Sequence, residues 1–441
     1  MRKKILYIAV GLLLTGCTSD EEQSGNVLGN DNAIVLGVKE VKSPESRAQH
    51  TGIMNFTELE TTGFGVYGYK GEYNNESSTP TLFEGGANTH VTFIEGGTEP
   101  TTTIVHPGNW KYAETKENLR KWEKNEKYTF FAYAPYMSAG EGTQGTDAGI
   151  NTINGDPTIA YTVATDPAQS VDLMWGLRSD TGFPWKDVTS TTSAGSVMFT
   201  FYHALCAIGY HAQVIVDKDN NLTDIEDASG IAAIGTDCKV TIKSITLEPN
   251  SANSKPGLFY QSGVLNLNNG TAHTPNWGSP IGSIASFVLS GSQIDSKLLD
   301  PAPADDSAIA TFMGNASIPG VVQSANTQSV IAKDGSGNEQ FYMLLPYEAK
   351  DYKMTVKYFI TYKTGADTYF RSAELTGDAD LNDMELKPGI KYYFNMVFGL
   401  TTFKLDVLAK DWDGQTINTS VVIENGTSAS QSLGKEYELM K

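Results

Sequence analysis

Cysteine is nearly absent, with 3 among 441 residues. Cys206 and Cys238 fall in neither a CxxC pair nor a Cys/His cluster, which excludes dithiol redox motifs and the usual zinc spacings. Basic residues are scarce too: 32 Lys and Arg stand against 51 Asp and Glu, a formal charge of −19. Such a chain lacks the clustered cations that counterion release at a phosphate backbone needs, so nucleic acid is excluded as a partner. The 6 histidines form no HExxH or other ligand spacing, and no G-x-S-x-G elbow, P-loop or dinucleotide fingerprint occurs. No metal or cofactor is implied. Carboxylates are abundant, but no pair is singled out for acid–base work. The chain reads as a non-enzyme.

Long apolar runs are missing except at the start. Arg2, Lys3 and Lys4 precede an apolar stretch from Ile5 to Leu14, too short to span a bilayer as a mature helix. It ends in Leu14-Thr15-Gly16-Cys17, a lipobox, in which small residues fit the signal peptidase and the Cys17 thiol accepts a diacylglycerol. Residues 1–16 are therefore expected to be a signal peptide, and 17–32, too polar to pack, a flexible linker. A doubly acylated Cys17 would hold the exported chain at the outer membrane. Asp20, Glu21 and Glu22 admit two readings, a surface-export signal and a solvated linker.

The remainder reads as β. Val, Ile, Thr and aromatic runs alternate with Gly, Asn, Asp and Ser clusters, and no long 3.6-residue period appears. From Tyr352 to Thr361, Tyr352, Met354, Val356, Tyr358 and Ile360 lie on one face, with Lys353, Thr355, Lys357 and Thr361 on the other. Tyr392 to Phe398 and Phe403 to Ala409 repeat the pattern around Gly399 and predict a hairpin. Further strands are expected over Phe64–Tyr69, Tyr128–Tyr133, Thr158–Val163, Val197–Tyr202, Lys239–Leu247 and Phe341–Leu345. Gly291–Asp306, Asp334–Asn338 and Ser138–Asn154 read as surface loops. The charged stretch from Asp217 to Gly230 breaks the apolar pattern and predicts a domain boundary, with one domain over 33–216 and another over 217–441. His203 and His211, in an apolar strand or short-helix segment, read as hydrogen-bonded core residues. For Cys206 and Cys238 two readings stand, a disulfide and buried separate thiols.

Several stretches together resemble the fimbrillins, which build type V pili on Gram-negative anaerobes. They are the lipobox at Cys17, Ser46-Arg47-Ala48, YTFFAYAPY from Tyr128, VDLMWG from Val171, MFTFYHALCAIGYHAQV from Met198, FYMLLPY from Phe341, LKPGIKYYFNMVFG from Leu386, and Asp411-Trp412. The resemblance covers nearly the whole chain and lies in the order and spacing of the pieces. It implies two tandem transthyretin-like β-sandwich domains and a structural role on the cell surface. The subunit would be exported as a lipoprotein, trimmed by an arginine-specific protease and joined to other pilin subunits by exchange of a β-strand. A tip position would add a surface receptor as partner.

The residues supply a physical logic for that scheme. Ala33 to Val41 puts Ile34, Leu36 and Val38 on one face of an extended strand. Arg47, in the polar segment SPESRAQH, is open to a protease. Cleavage between Arg47 and Ala48 would remove residues 33–47 with the lipid and bare a sheet edge for a neighbour's strand. Ile417, Val421 and Ile423 share a face of the candidate donor, with Thr419 interrupting it; an ordinary final strand is the other reading. A second functional reading is a surface glycan-binding lipoprotein, with Trp110, Trp175, Trp185 and Trp277 offering indole faces to sugar rings.

Overall fold

The computed structural model describes residues 32–42, 54–83, 88–94, 110–113, 118–137, 154–193, 195–214, 238–278, 280–300, 327–363, 369–372, 374–398, 403–411 and 416–421. Among them the chain is all-β with a single α-helix. The first strands are β1 (Val35–Val41), β2 (Phe64–Lys70), β3 (Thr89–Phe93), β4 (Trp110–Lys111), β5 (Tyr128–Ala134), β6 (Thr158–Thr162), β7 (Met174–Leu177), β8 (Trp185–Val188), β9 (Ser196–His203) and β10 (Cys206–Val214), with α1 (Phe56–Thr62) after β1. Then follow β11 (Cys238–Pro249), β12 (Ser262–Asn266), β13 (Asn276–Trp277), β14 (Phe287–Ser290), β15 (Gln328–Ser329), β16 (Tyr342–Leu344), β17 (Tyr347–Lys363), β18 (Tyr369–Arg371), β19 (Leu375–Leu386), β20 (Ile390–Phe398), β21 (Phe403–Asp411) and β22 (Thr416–Val421).

The two-residue period carries through to burial. In β17, Tyr352, Met354, Val356, Tyr358 and Ile360 are all buried. The hairpin expected around Gly399 is β20–β21, antiparallel from Ile390↔Asp411 to Phe398↔Phe403. The short helix α1 had no periodic signal, but its start is written locally: Asn55 accepts the Glu58 amide and Glu58 reaches back to the Asn55 amide. Gly63, at φ 67°, stops it in a conformation that favours glycine. The segment from Gly291, expected to be a surface loop, instead buries Ile294 and Leu298, because the Ile242 amide bonds the Leu298 carbonyl and draws the segment against β11.

Four sheets result. The largest runs β1-β9-β7-β5-β2-β3-β4, with β8 also on β5. A second runs β15-β10-β20-β21-β22, with β16 also on β10; a third runs β14-β11-β17-β18, with β19 also on β17. The second and third face each other, as Tyr358 against Phe398 at 4.8 Å and Phe287 against Tyr342 at 5.1 Å show. The fourth, β13-β12-β6, joins a strand of the first half to two of the second. The expected boundary at 217–230 lies outside the described residues. Just before it, β10 is already bonded, in parallel, to β20.

The large sheet is covered on both faces. Phe64, Val66, Phe130 and Phe199 point into one cluster with Leu59 of α1, while Tyr67, Tyr69, Phe131 and Tyr133 point into the other, which continues through the second and third sheets. Burial on both faces explains why β5 reads YTFFAYA rather than as an alternation.

Candidate functional site

The segment of Ile34, Leu36 and Val38 is extended and includes the strand β1. β1 lies at the end of the large sheet, parallel to β9, in register from Val35↔Ser196 to Val41↔Phe201 with an irregularity between Val38 and Glu40. Ile34, Leu36 and Val38 are 1%, 1% and 8% exposed. They share a cluster with Val197, Phe199, Phe201 and Trp110. Burying three such side chains stabilises the docked strand by roughly 5–9 kcal/mol before entropy.

β1 is also held from its other edge. The Ile34 amide donates to the Arg120 carbonyl and the Trp122 amide to the Asn32 carbonyl, each at 2.8 Å, around the antiparallel bridge Ala33↔Lys121. The Tyr112 hydroxyl donates to the Ile34 carbonyl at 2.9 Å and accepts the Arg120 amide at 3.2 Å. Burial pushes the Tyr112 phenol above its ordinary value, against the opposing pull of the Arg120 amide and charge. The hydroxyl therefore keeps its proton and donates. The strand occupies a slot with two walls rather than a bare edge. Nothing in the charged stretch around Arg120 announced this; the signal lies only in long-range pairing.

Beside the slot, Asp172 receives both the Met54 amide at 2.9 Å and His203 Nδ1 at 2.7 Å. His203 is thus the hydrogen-bonded core histidine that its apolar setting implied. Met54 follows residues 43–53, and Asp172 pins the chain there to the end of β9. His211 is half-buried and bonds Glu339 at 2.5 Å.

Other expected site residues are not brought to this slot. Ile417 and Val421 lie in β22, antiparallel to β21 at the edge of the second sheet. Cys17, Arg47, Ala48 and Ile423 lie outside the described residues. Cys206 is a buried free thiol donating to the Leu344 carbonyl at 3.4 Å, and burial pushes its pKa up, so the disulfide reading falls for it. The tryptophans offered for sugar stacking are engaged in packing. Trp110 and Trp175 are 3% and 1% exposed. The Trp185 ring carries the Arg178 guanidinium at 4.8 Å, and Trp277 donates its indole N–H to the Ala204 carbonyl at 3.0 Å.

A family profile described as fimbrillin-like matches residues 47–274. The chain belongs to the fimbrillin-like family. A curated relative, fimbrium subunit Fim1C of Phocaeicola vulgatus, is 28% identical over 279 residues, which cover 61% of this chain and 61% of that protein. The chain thus matches less than two thirds of that fimbrillin relative's length. A solved fimbrial protein from Bacteroides vulgatus superposes with a TM-score of 0.49 at 18% identity, covering 86% of this chain and 99% of the other. A fimbrial assembly protein from Parabacteroides distasonis gives 0.34 at 11% identity, with 87% and 96% covered. At these TM-scores neither likeness carries a functional conclusion.

Proposed function

We propose that this fimbrillin-like chain is a subunit of a cell-surface fimbria, exported as a lipoprotein through Cys17, trimmed between Arg47 and Ala48, and joined to its neighbours by β-strand exchange. The observation that carries the reading is β1, the first strand among the described residues, with Leu36 and the preceding Ile34 buried and with Arg47 in the sequence between it and α1. A cut there converts an intramolecular strand into one that can leave. The vacated slot then exposes the β9 edge and the apolar floor of Val197, Phe199 and Phe201 to another chain. The candidate donor is the 416–424 segment of a second subunit, whose residues 416–421 lie in β22 on β21 and must leave that edge to be exchanged.

The test is Arg47→Ala. Arginine-specific proteolysis of the wild-type chain is expected to give a product beginning at Ala48, and a ladder of high-mass species on unheated gels that collapses on boiling. Arg47→Ala is expected to stay full length and monomeric. Fibres containing uncleaved Arg47→Ala chains in normal amount would overturn the trimming step.

A further inference from the structure

We propose that the Tyr112 hydroxyl, the Arg120 carbonyl and the Trp122 amide form a second rail that grips whichever strand fills the slot: β1 within one molecule, and the 416–424 strand of a second copy of this chain in the fimbria. The inference rests on the strand-exchange reading above and names the groups that hold the incoming strand. An ordinary edge strand is bonded along one side. β1 is bonded to β9 on one side and, through Asn32 and Ile34, to this rail on the other.

Removing β1 strips a partner from each rail group. The emptied slot can therefore regain these hydrogen bonds only by taking up another extended backbone. The incoming chain must be extended, because only a strand offers an amide and two carbonyls at the spacing that Asn32 and Ile34 supply. The rail also sets register. The residue that donates to the Arg120 carbonyl takes the place of Ile34, and the residues two and four further on then point into the pockets of Leu36 and Val38. A slip of one residue would turn all three away from the floor. In the 416–424 segment Thr419, Val421 and Ile423 have that spacing, with the polar Thr419 falling at the Ile34 place.

Hydrogen exchange on the full-length chain, on the arginine-trimmed chain kept dilute, and on the polymer tests this without a substitution. The Trp122 amide is expected to be protected in the full chain, to exchange roughly tenfold faster or more in the trimmed monomer, and to regain protection in the polymer. Tyr112→Phe, a positioning change, is expected to lower the temperature at which the ladder dissociates while leaving cleavage after Arg47 unchanged. A polymer in which the Trp122 amide exchanges as fast as in the trimmed monomer overturns the rail and leaves strand exchange standing. A trimmed chain that never polymerises overturns strand exchange, and the rail's role in assembly with it.

Discussion

His203 and Asp172 meet at 2.7 Å in the interior, with 1% and 0% of their side chains exposed. Asp172→Ala would leave His203 Nδ1 and the Met54 amide without their acceptor in a site that water does not reach. The expected loss is about 2–5 kcal/mol, since two buried groups each lose a hydrogen-bond partner, read as a lower urea midpoint at unchanged m-value. Asp172→Asn keeps an oxygen acceptor and should lose less than the alanine variant. Equal losses would show that volume, not hydrogen bonding, matters there.

Leu36→Asp places a carboxylate in the apolar cluster that holds Val197 and Phe199. A destabilisation of at least about 3 kcal/mol is expected in the full-length chain. Glu40→Ala, on the exposed end of the same strand, should change stability by less than about 0.5 kcal/mol. Denaturant curves of the two variants side by side provide the check; a Leu36→Asp midpoint equal to wild type would mean that β1 is not docked in solution.

Two glycines separate rigid from yielding neighbours. A methyl group at Gly65 would run into the Tyr133 ring and sit 2.7 Å from Asn88 Oδ1, and that ring is fixed by its hydroxyl's bonds to Asn88 and Met137. At Gly37 the obstacle is the flexible end of Met198, 2.7 Å away at its sulfur. Gly65→Ala should therefore cost about 1–3 kcal/mol and Gly37→Ala less than about 1 kcal/mol. Thermal melting that ranks them the other way would contradict the packing.

Burial raises the phenols of Tyr67, Tyr69, Tyr133, Tyr210 and Tyr352 above their ordinary value of 10.0. A group whose folded pKa is raised stabilises the fold fully below its unfolded pKa, and that contribution is lost as pH rises toward the folded value. Stability should thus be level through neutral pH and fall steeply above about 10, with phenolate absorbance appearing in step with unfolding. Tyrosines that ionise near 10 while the fold stays intact would refute this.

Strands were legible wherever one face is dry and the other wet, as in β17, or where the run is apolar on both faces, as in β5. In β2, Gly65 and Gly68 lie against Tyr133 and Phe83. The strand residues Ile34, Leu36 and Val38 that pack on the floor of the slot were likewise legible from their spacing. Pairing was not. That β1 lies parallel to β9, that β10 joins β20, or that β6 joins β12 depends on contacts between segments far apart in sequence, which no local period encodes. Tyr112 and Trp122 escaped notice for the same reason, since their role comes from what they face rather than from their neighbours in the chain.

The register Val35↔Ser196 has a consequence in time. The two partners are separated by most of the first half of the chain. Closing so long a loop is slow compared with forming the adjacent hairpins, and the β9 edge exists only once β7 and β5 have assembled. β1 therefore docks late, as a ready-made extended segment arriving at a nearly finished sheet. The slot must then be able to stand open long enough to receive a strand, whichever chain that strand belongs to.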